Sequence, residues 1–243
     1  MPRRKTKSFR VFNFSGGRSS ALMTRLWYRD GDIVLFADTG MESVGTYKFI
    51  DDFEKNEGIK IHRCGYPGGY MAFIKDKGFL PSKQMRVCTS ELKIDAAKKY
   101  LKKELGVLKF ESFIGFRADE TRRVKDYDNP SEKVTPVFPL YRAGITKEMV
   151  IGFWKEQKYD LEIPSILGNC TLCFLKGKNQ IIKIMKMYPE LAKDWIEMEE
   201  MVEGRTFING VSYRNLFEIS KSISYSEPDL DSLKSEFSCS CSL

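Results

Sequence analysis

Strand-like and helix-like stretches alternate along this chain at a spacing that excludes a sheet built from hairpins. Apolar runs at residues 9–14, in "DIVLFADTG", in "IKIHRCG" and in "FESFIGF" read as four strands. Helical patterns lie between and beside them. One covers residues 19–30, with Leu22, Leu26 and Trp27 on one face and Gly31 as a stop. A second covers 43–56, with Tyr47, Ile50 and Phe53 at helical spacing, and a third runs over about 89–104. Connections this long carry a chain between parallel strands. The predicted class is therefore α/β: a doubly wound, mainly parallel sheet with helices on both faces and a helical C-terminal region. In such sheets ligands sit beyond the carboxyl ends of the strands. Three polar clusters fall at those ends, at residues 15–20, 38–40 and 117–123.

The first cluster is Ser15-Gly16-Gly17-Arg18-Ser19-Ser20, set between the first strand and the first helix. Glycine and serine there also suit a plain strand-to-helix turn. A glycine-rich turn that opens a helix does more: it aims free N–H groups and the positive end of the helix dipole at one spot, which is an anion site. Arg18 adds a permanent cation with a fork of donors. The stretch fits neither the Walker A pattern nor G-x-G-x-x-G. Trp27 and Tyr28 nearby are read as packing.

A chain of 243 residues can bury one sizeable core, or one core with a small appendage. No apolar stretch is long enough to cross a bilayer. The basic start "MPRRKTKSFR" has no apolar signal core, so the expected compartment is reducing and cytoplasmic. The net charge of +7 suits an anionic partner such as a nucleotide or nucleic acid. It is spread along the chain, and "KKYLKKELG" reads as the solvated face of a helix. Residues 125–145 are loop-rich with three prolines and are expected to run over the surface or cover the site. "TKEMVIGFWKEQ" resumes as helix with Thr146 as its cap, and residues 178–203 are helical with a break at Pro189. The expected division is a domain over 1–220 and a serine-rich, flexible tail over 221–243.

Six cysteines punctuate the sequence: Cys64, Cys88, Cys170, Cys173, Cys239 and Cys241. In a reducing compartment the Cys170-x-x-Cys173 pair reads as metal-binding or redox-active, its spacer letting both sulfurs face one centre. Buried free cysteines are the alternative. Cys88 is the best third candidate, since it starts a helix between Arg86 and Lys93, and such surroundings stabilise a thiolate. Cys64 follows a strand and is open to being inert. Cys239 and Cys241 lie on the tail, from which a reactive thiol could swing in. His62, two residues before Cys64, leaves a zinc site open, though a lone histidine in a strand is more often structural.

These motifs together resemble the phosphoadenosine phosphosulfate (PAPS) reductase family, within the adenine nucleotide alpha-hydrolase superfamily that includes the N-type ATP pyrophosphatases. The likeness is to its small phage and bacterial members and covers roughly residues 9–220. Residues 15–20 look like the pyrophosphate loop, usually SGGKDS. Asp38-Thr39-Gly40 looks like the "DTG" after the second strand. Cys88 with Lys93 resembles the "C…K" segment of the iron–sulfur reductases, and "GFRADETRR" their G-x-R motif through Gly115 and Arg117. "FPLYRAGITKEMV" resembles their "PL…T" segment, and "CTLC" their downstream Cys-x-x-Cys; Cys88 and Cys170 lie 82 positions apart, close to the family's separation. The chain departs from the pattern in having Arg18 and Ser19 in place of lysine and aspartate. It has Val87-Cys88 in place of a double cysteine, and "FSCSCSL" where the reductases end in "ECGLH".

The resemblance implies an enzyme. Ser15, Gly16, Gly17, Arg18, Ser19 and Ser20, with Gly115, would hold the phosphates or sulfate of ATP (with magnesium) or an adenylyl sulfate. Asp38 and Thr39 would face adenine or ribose. Arg117, Arg123 and Lys93 would act near the reacting centre, and Cys88, Cys170 and Cys173 would ligate a [4Fe–4S] cluster capped by Cys239, Cys241 or a sulfur species. Nucleotide-dependent sulfur transfer to a nucleic acid or small molecule is the favoured expectation, with a sulfur or electron donor as partner. Sulfonucleotide reduction by a tail thiolate is the close alternative. A non-catalytic nucleotide-binding module and a zinc protein are the others.

Overall fold

The computed structural model describes residues 8–164, 166–168 and 170–223. Its elements run β1 Phe9–Asn13, α1 Arg18–Trp27, β2 Ile33–Asp38, α2 Val44–Glu57, β3 Ile61–Gly65 and α3 Gly69–Lys77. Then come α4 Val87–Thr89, a π-helical turn Ser90–Asp95, and α5 Ala96–Glu104, one continuous helical stretch. β4 Phe110–Phe113, α6 Thr121–Tyr127, β5 Val134–Val137, α7 Pro139–Arg142 and α8 Lys147–Lys155 follow. The chain then continues with α9 Lys178–Met187, α10 Ala192–Glu200 and α11 Tyr213–Ser222.

The five strands form one parallel sheet in the order β3-β2-β1-β4-β5. Alternate residues of its central strands face opposite layers. Phe12, Phe14, Val34 and Phe36 pack with Leu22 and Met23 of α1, Phe49 and Phe53 of α2, and Trp154 of α8. Val11, Ile33, Leu35 and Ala37 pack with Ala97 and Leu101 of α5. This two-sided burial makes β2 an unbroken apolar run, as a strand covered on both faces requires. A separate apolar cluster joins α3, α9, α10 and α11, centred on Trp195 and Tyr213, and forms the helical C-terminal region. The doubly wound class is thus observed.

Chain order reverses at β1, whose neighbours are β2 and β4, so the crevice for a ligand lies where the loops after β1 and β4 part. Asn13 ties the two strands there, its side-chain amide donating to Ser112 Oγ at 2.7 Å and to the Phe113 carbonyl at 2.9 Å.

Local details depart from the sequence expectations for physical reasons. α1 stops at Trp27, where Asp32 accepts from the Arg29 amide and Gly31 turns the chain at φ +90°, and Leu26 is 50% exposed rather than on the packed face. The proline-rich stretch 125–145 holds the end of α6, strand β5 and α7. β5 is an edge strand, and an edge tolerates Pro136 where a central strand would lose a ladder bond. The break in the 178–203 helix is as expected, a 3-10 turn at Pro189–Leu191. α11 runs two residues beyond 220.

Candidate functional site

The glycine-rich loop owes its shape to close contacts. Gly16 has φ +73°, and a Cβ there would lie 2.5 Å from Thr46 Cγ2. Ser20 braces the turn: its hydroxyl accepts from the Ser15 amide at 3.0 Å and donates to the Gly17 carbonyl at 2.9 Å. α1 then starts at Arg18 with Gly17 as its cap, and among the described residues no side chain caps it. The first-turn amides of a helix have no partner within the helix, so those of Arg18, Ser19 and Ser20 are available to an anion. Across the crevice, Gly115 closes the gap after β4. A Cβ on it would sit 3.0–3.2 Å from the Ser19 and Ser20 backbone, so a side chain there would press the loop away and glycine gives the closest approach.

The arginines divide in role. Arg117 reaches the loop, Nη1 donating to Ser19 Oγ at 3.2 Å, while its guanidinium is also paired with Asp119 at 2.9 Å and Glu120 at 3.3 Å. Arg123 pairs with Glu120 and lies 4.2 Å from the Phe116 ring centroid. Arg18 turns to the segment after α8. It makes a two-pronged contact with Asp160 at 2.6 and 2.7 Å and donates to the Leu161 carbonyl at 2.8 Å, and Trp154 Nε1 donates to its carbonyl at 2.9 Å. Its geometry is that of a clasp on the loop rather than of a cation facing the crevice. Asp38, at the end of β2, accepts from Tyr47 Oη at 2.7 Å and from the Gly40 amide at 2.8 Å.

The next residues lead to a second feature. Thr39 and Glu42 line a pocket with Cys88, Cys170 and Cys173, closed by Tyr70, Lys93 and Trp195. All three sequence-predicted metal ligands therefore meet in one place. Glu42 pairs by its backbone with Cys170 in an antiparallel bridge, and its carboxylate lies 3.5 Å from Lys93 Nζ. Burial raises the Glu42 carboxyl above the usual range, with Lys93 opposing the shift. Burial also raises the Cys88 thiol, reinforced by Cys173 and opposed by Thr89, Arg86 and Lys93. Three buried polar atoms on the wall have no hydrogen-bond partner among the described residues: Glu42 Oε2, the Tyr70 hydroxyl and Trp195 Nε1. Lys176 fixes the Cys170 carbonyl, and Tyr213 Oη donates to the Leu172 carbonyl at 2.6 Å, so the Cys-x-x-Cys turn is held from both ends.

The other cysteines and the histidine stand apart. Cys64 is buried in the sheet layer beside α5, and burial pushes its thiol up to about 12. His62 Nδ1 lies 3.0 Å from Tyr100 Oη, away from the pocket wall. Cys239 and Cys241 lie outside the described residues. Among the described residues no group of three or more His, Cys, Asp and Glu is arranged to hold a metal ion. No helix among them is long and apolar enough to cross a membrane. Sequence reasoning missed Glu42, Tyr70, Trp195 and Asp160. Only Glu42, two residues beyond the "DTG" motif, carried a local signal.

Sheet order, loop and crevice define an α/β domain of the kind that binds a ligand at the switch between β1 and β4. Residues 10–161 match the model of the phosphoadenosine phosphosulfate reductase domain, and the chain belongs to that family. It is 32% identical over 203 residues to the uncharacterized nin region protein ORF290 of Escherichia phage lambda, covering 70% of this chain and 67% of that protein. It is also 26% identical over 210 residues to an uncharacterized protein of Methanocaldococcus jannaschii, MJ0973, covering 80% of this chain but 48% of that longer protein. Among solved structures, PAPS reductase from Candida auris in a phosphate complex aligns at 17% identity with a TM-score of 0.40, over 63% of this chain and 73% of that one.

Proposed function

We propose that this protein is a PAPS reductase-like enzyme that binds an adenine nucleotide at the 15–20 loop and performs sulfur chemistry beside it. The favoured reaction is nucleotide-dependent sulfur transfer to a nucleic acid or small molecule. The observation that carries the reading is the meeting of Cys88, Cys170 and Cys173 in one pocket whose wall continues, through Thr39 and Glu42, from Asp38.

The three thiols are not gathered around a single ion, but by type they suit an iron–sulfur cluster, whose ligands each bind a separate iron. Its ligands are three soft thiols, and the orphaned polar atoms around them suit an occupant that fills the pocket. Bound on three thiolates, a [4Fe–4S] cluster would offer one iron with an open position for a sulfur species. The chain's own groups do the rest. Amides of Arg18, Ser19 and Ser20 receive the phosphoryl oxygens. Arg117, fixed against Ser19, neutralises charge that develops there, as pre-placed cations do. Lys93 offsets the thiolates' negative charge from its buried pair with Glu42. Asp38 and Thr39 face the nucleoside, and magnesium accompanies ATP where a triphosphate is used.

The family's name supports a second reading, sulfonucleotide reduction with Cys239 or Cys241 as the attacking thiolate. Product analysis under anaerobic conditions separates the two. AMP or pyrophosphate from ATP supports transfer, and sulfite from adenylyl sulfate supports reduction. Unchanged nucleotide from a protein carrying its full complement of iron and sulfide refutes both and leaves a binding module.

A further inference from the structure

The Tyr70 side chain belongs to neither reading so far. It lies in the first turn of α3, 3% exposed, and its ring meets Trp195 edge-on, the centroids 5.9 Å apart at 77°. Its backbone amide donates to the Thr39 carbonyl at 2.9 Å, so helix and ring are both fixed. Phenylalanine would satisfy all of that packing. The hydroxyl adds a buried donor with no partner among the described residues, which destabilises the fold unless something in the pocket accepts its hydrogen. The N–H of Trp195, 1% exposed and without a partner among the described residues, opens on the same space. Two rigid donors from separate helices thus line a pocket with three sulfur ligands, and sulfur in a thiolate or bridging sulfide is a hydrogen-bond acceptor.

We infer that the Tyr70 hydroxyl donates a hydrogen bond to a sulfur atom of the cluster held by Cys88, Cys170 and Cys173, and so sets its reduction potential. The inference rests on the cluster reading above. A hydrogen bond to sulfur draws electron density from the cluster and favours its reduced form, so loss of the donor lowers the potential. Tyr70 contacts the cofactor without ligating it.

The test uses the full chain, purified and reconstituted without oxygen, as wild type and as Tyr70→Phe. Iron and sulfide are counted first, then the midpoint potential is measured by spectroelectrochemistry. Equal iron and sulfide in both proteins, with a more negative midpoint in Tyr70→Phe, is the expected result. Equal loading with an unchanged or more positive midpoint overturns the inference and leaves the cluster standing. Failure of the wild type to hold iron and sulfide refutes the cluster and the inference with it. A second measurement needs no folded variant. Resonance Raman of the wild-type cluster should show Fe–S stretching bands that shift in deuterium oxide, and bands that do not move refute a hydrogen bond from an exchangeable donor.

Discussion

Gly16→Ala tests whether the loop is held as described. Two separate terms act at this position. Alanine at φ +73° carries the left-handed penalty, about 1–2 kcal/mol. Its Cβ would also stand 2.5 Å from Thr46 Cγ2, a fully buried side chain, and overpacking of that kind costs about 1–3 kcal/mol. Together they predict a loss of roughly 2–5 kcal/mol, a large share of a typical domain's stability of about 5–15 kcal/mol. Gly31→Ala supplies the control, since φ is +90° there and nothing lies within 4 Å of the new Cβ, so only the backbone term remains. Urea unfolding monitored by circular dichroism measures all of these. Adding Thr46→Ser, which deletes Cγ2, should return part of the loss in Gly16→Ala and none in Gly31→Ala. A Gly16→Ala loss no larger than that of Gly31→Ala, or no recovery with Thr46→Ser, refutes the packing argument.

Other predictions are independent of it. Asp160→Asn should weaken the Arg18 clasp, cost about 1 kcal/mol because both partners are about one-third exposed, and free a cation that tightens phosphate binding in calorimetry. Unchanged or weaker phosphate binding would contradict the clasp. Burial raises the Glu199 carboxyl, opposed by hydrogen bonds from the Phe207 and Tyr213 amides. A carboxyl raised on folding holds its proton longer in the native state, so its stabilising contribution is full below about 4.5 and declines as pH rises through the folded value. The stability of wild type relative to Glu199→Gln, whose amide stands in for the neutral acid, should therefore fall as pH rises from acid toward neutrality, and a wild type that gains on the variant refutes the sign. Cys64→Ala should leave anaerobic iron loading intact, whereas Cys88→Ala should reduce it sharply. Equal loading in the two variants would remove Cys88 from the ligand set.

The parallel sheet was legible because β1, β2 and β4 are short apolar runs bounded by polar strand ends, a local pattern. β5 was not, because Pro136 disguises a strand whose edge position depends on the whole sheet. In the site, the glycines of the loop and the Cys-x-x-Cys announced themselves by type and spacing. The partner of Arg18 did not, since Asp160 sits 142 positions away and ordinary acidic residues surround it in sequence. Nothing local in the sequence marks Tyr70 and Trp195, whose significance lies in polar atoms left without partners among the described residues, a property only the folded packing creates.

The central claim is that three thiols from distant parts of the chain hold an iron–sulfur cluster. Iron, acid-labile sulfide and zinc, measured with the visible spectrum on protein kept free of oxygen throughout, test it most directly. The account predicts a brown protein with broad visible absorption and iron and sulfide in equal amounts near four per chain. A colourless protein with one zinc per chain and no sulfide would contradict it.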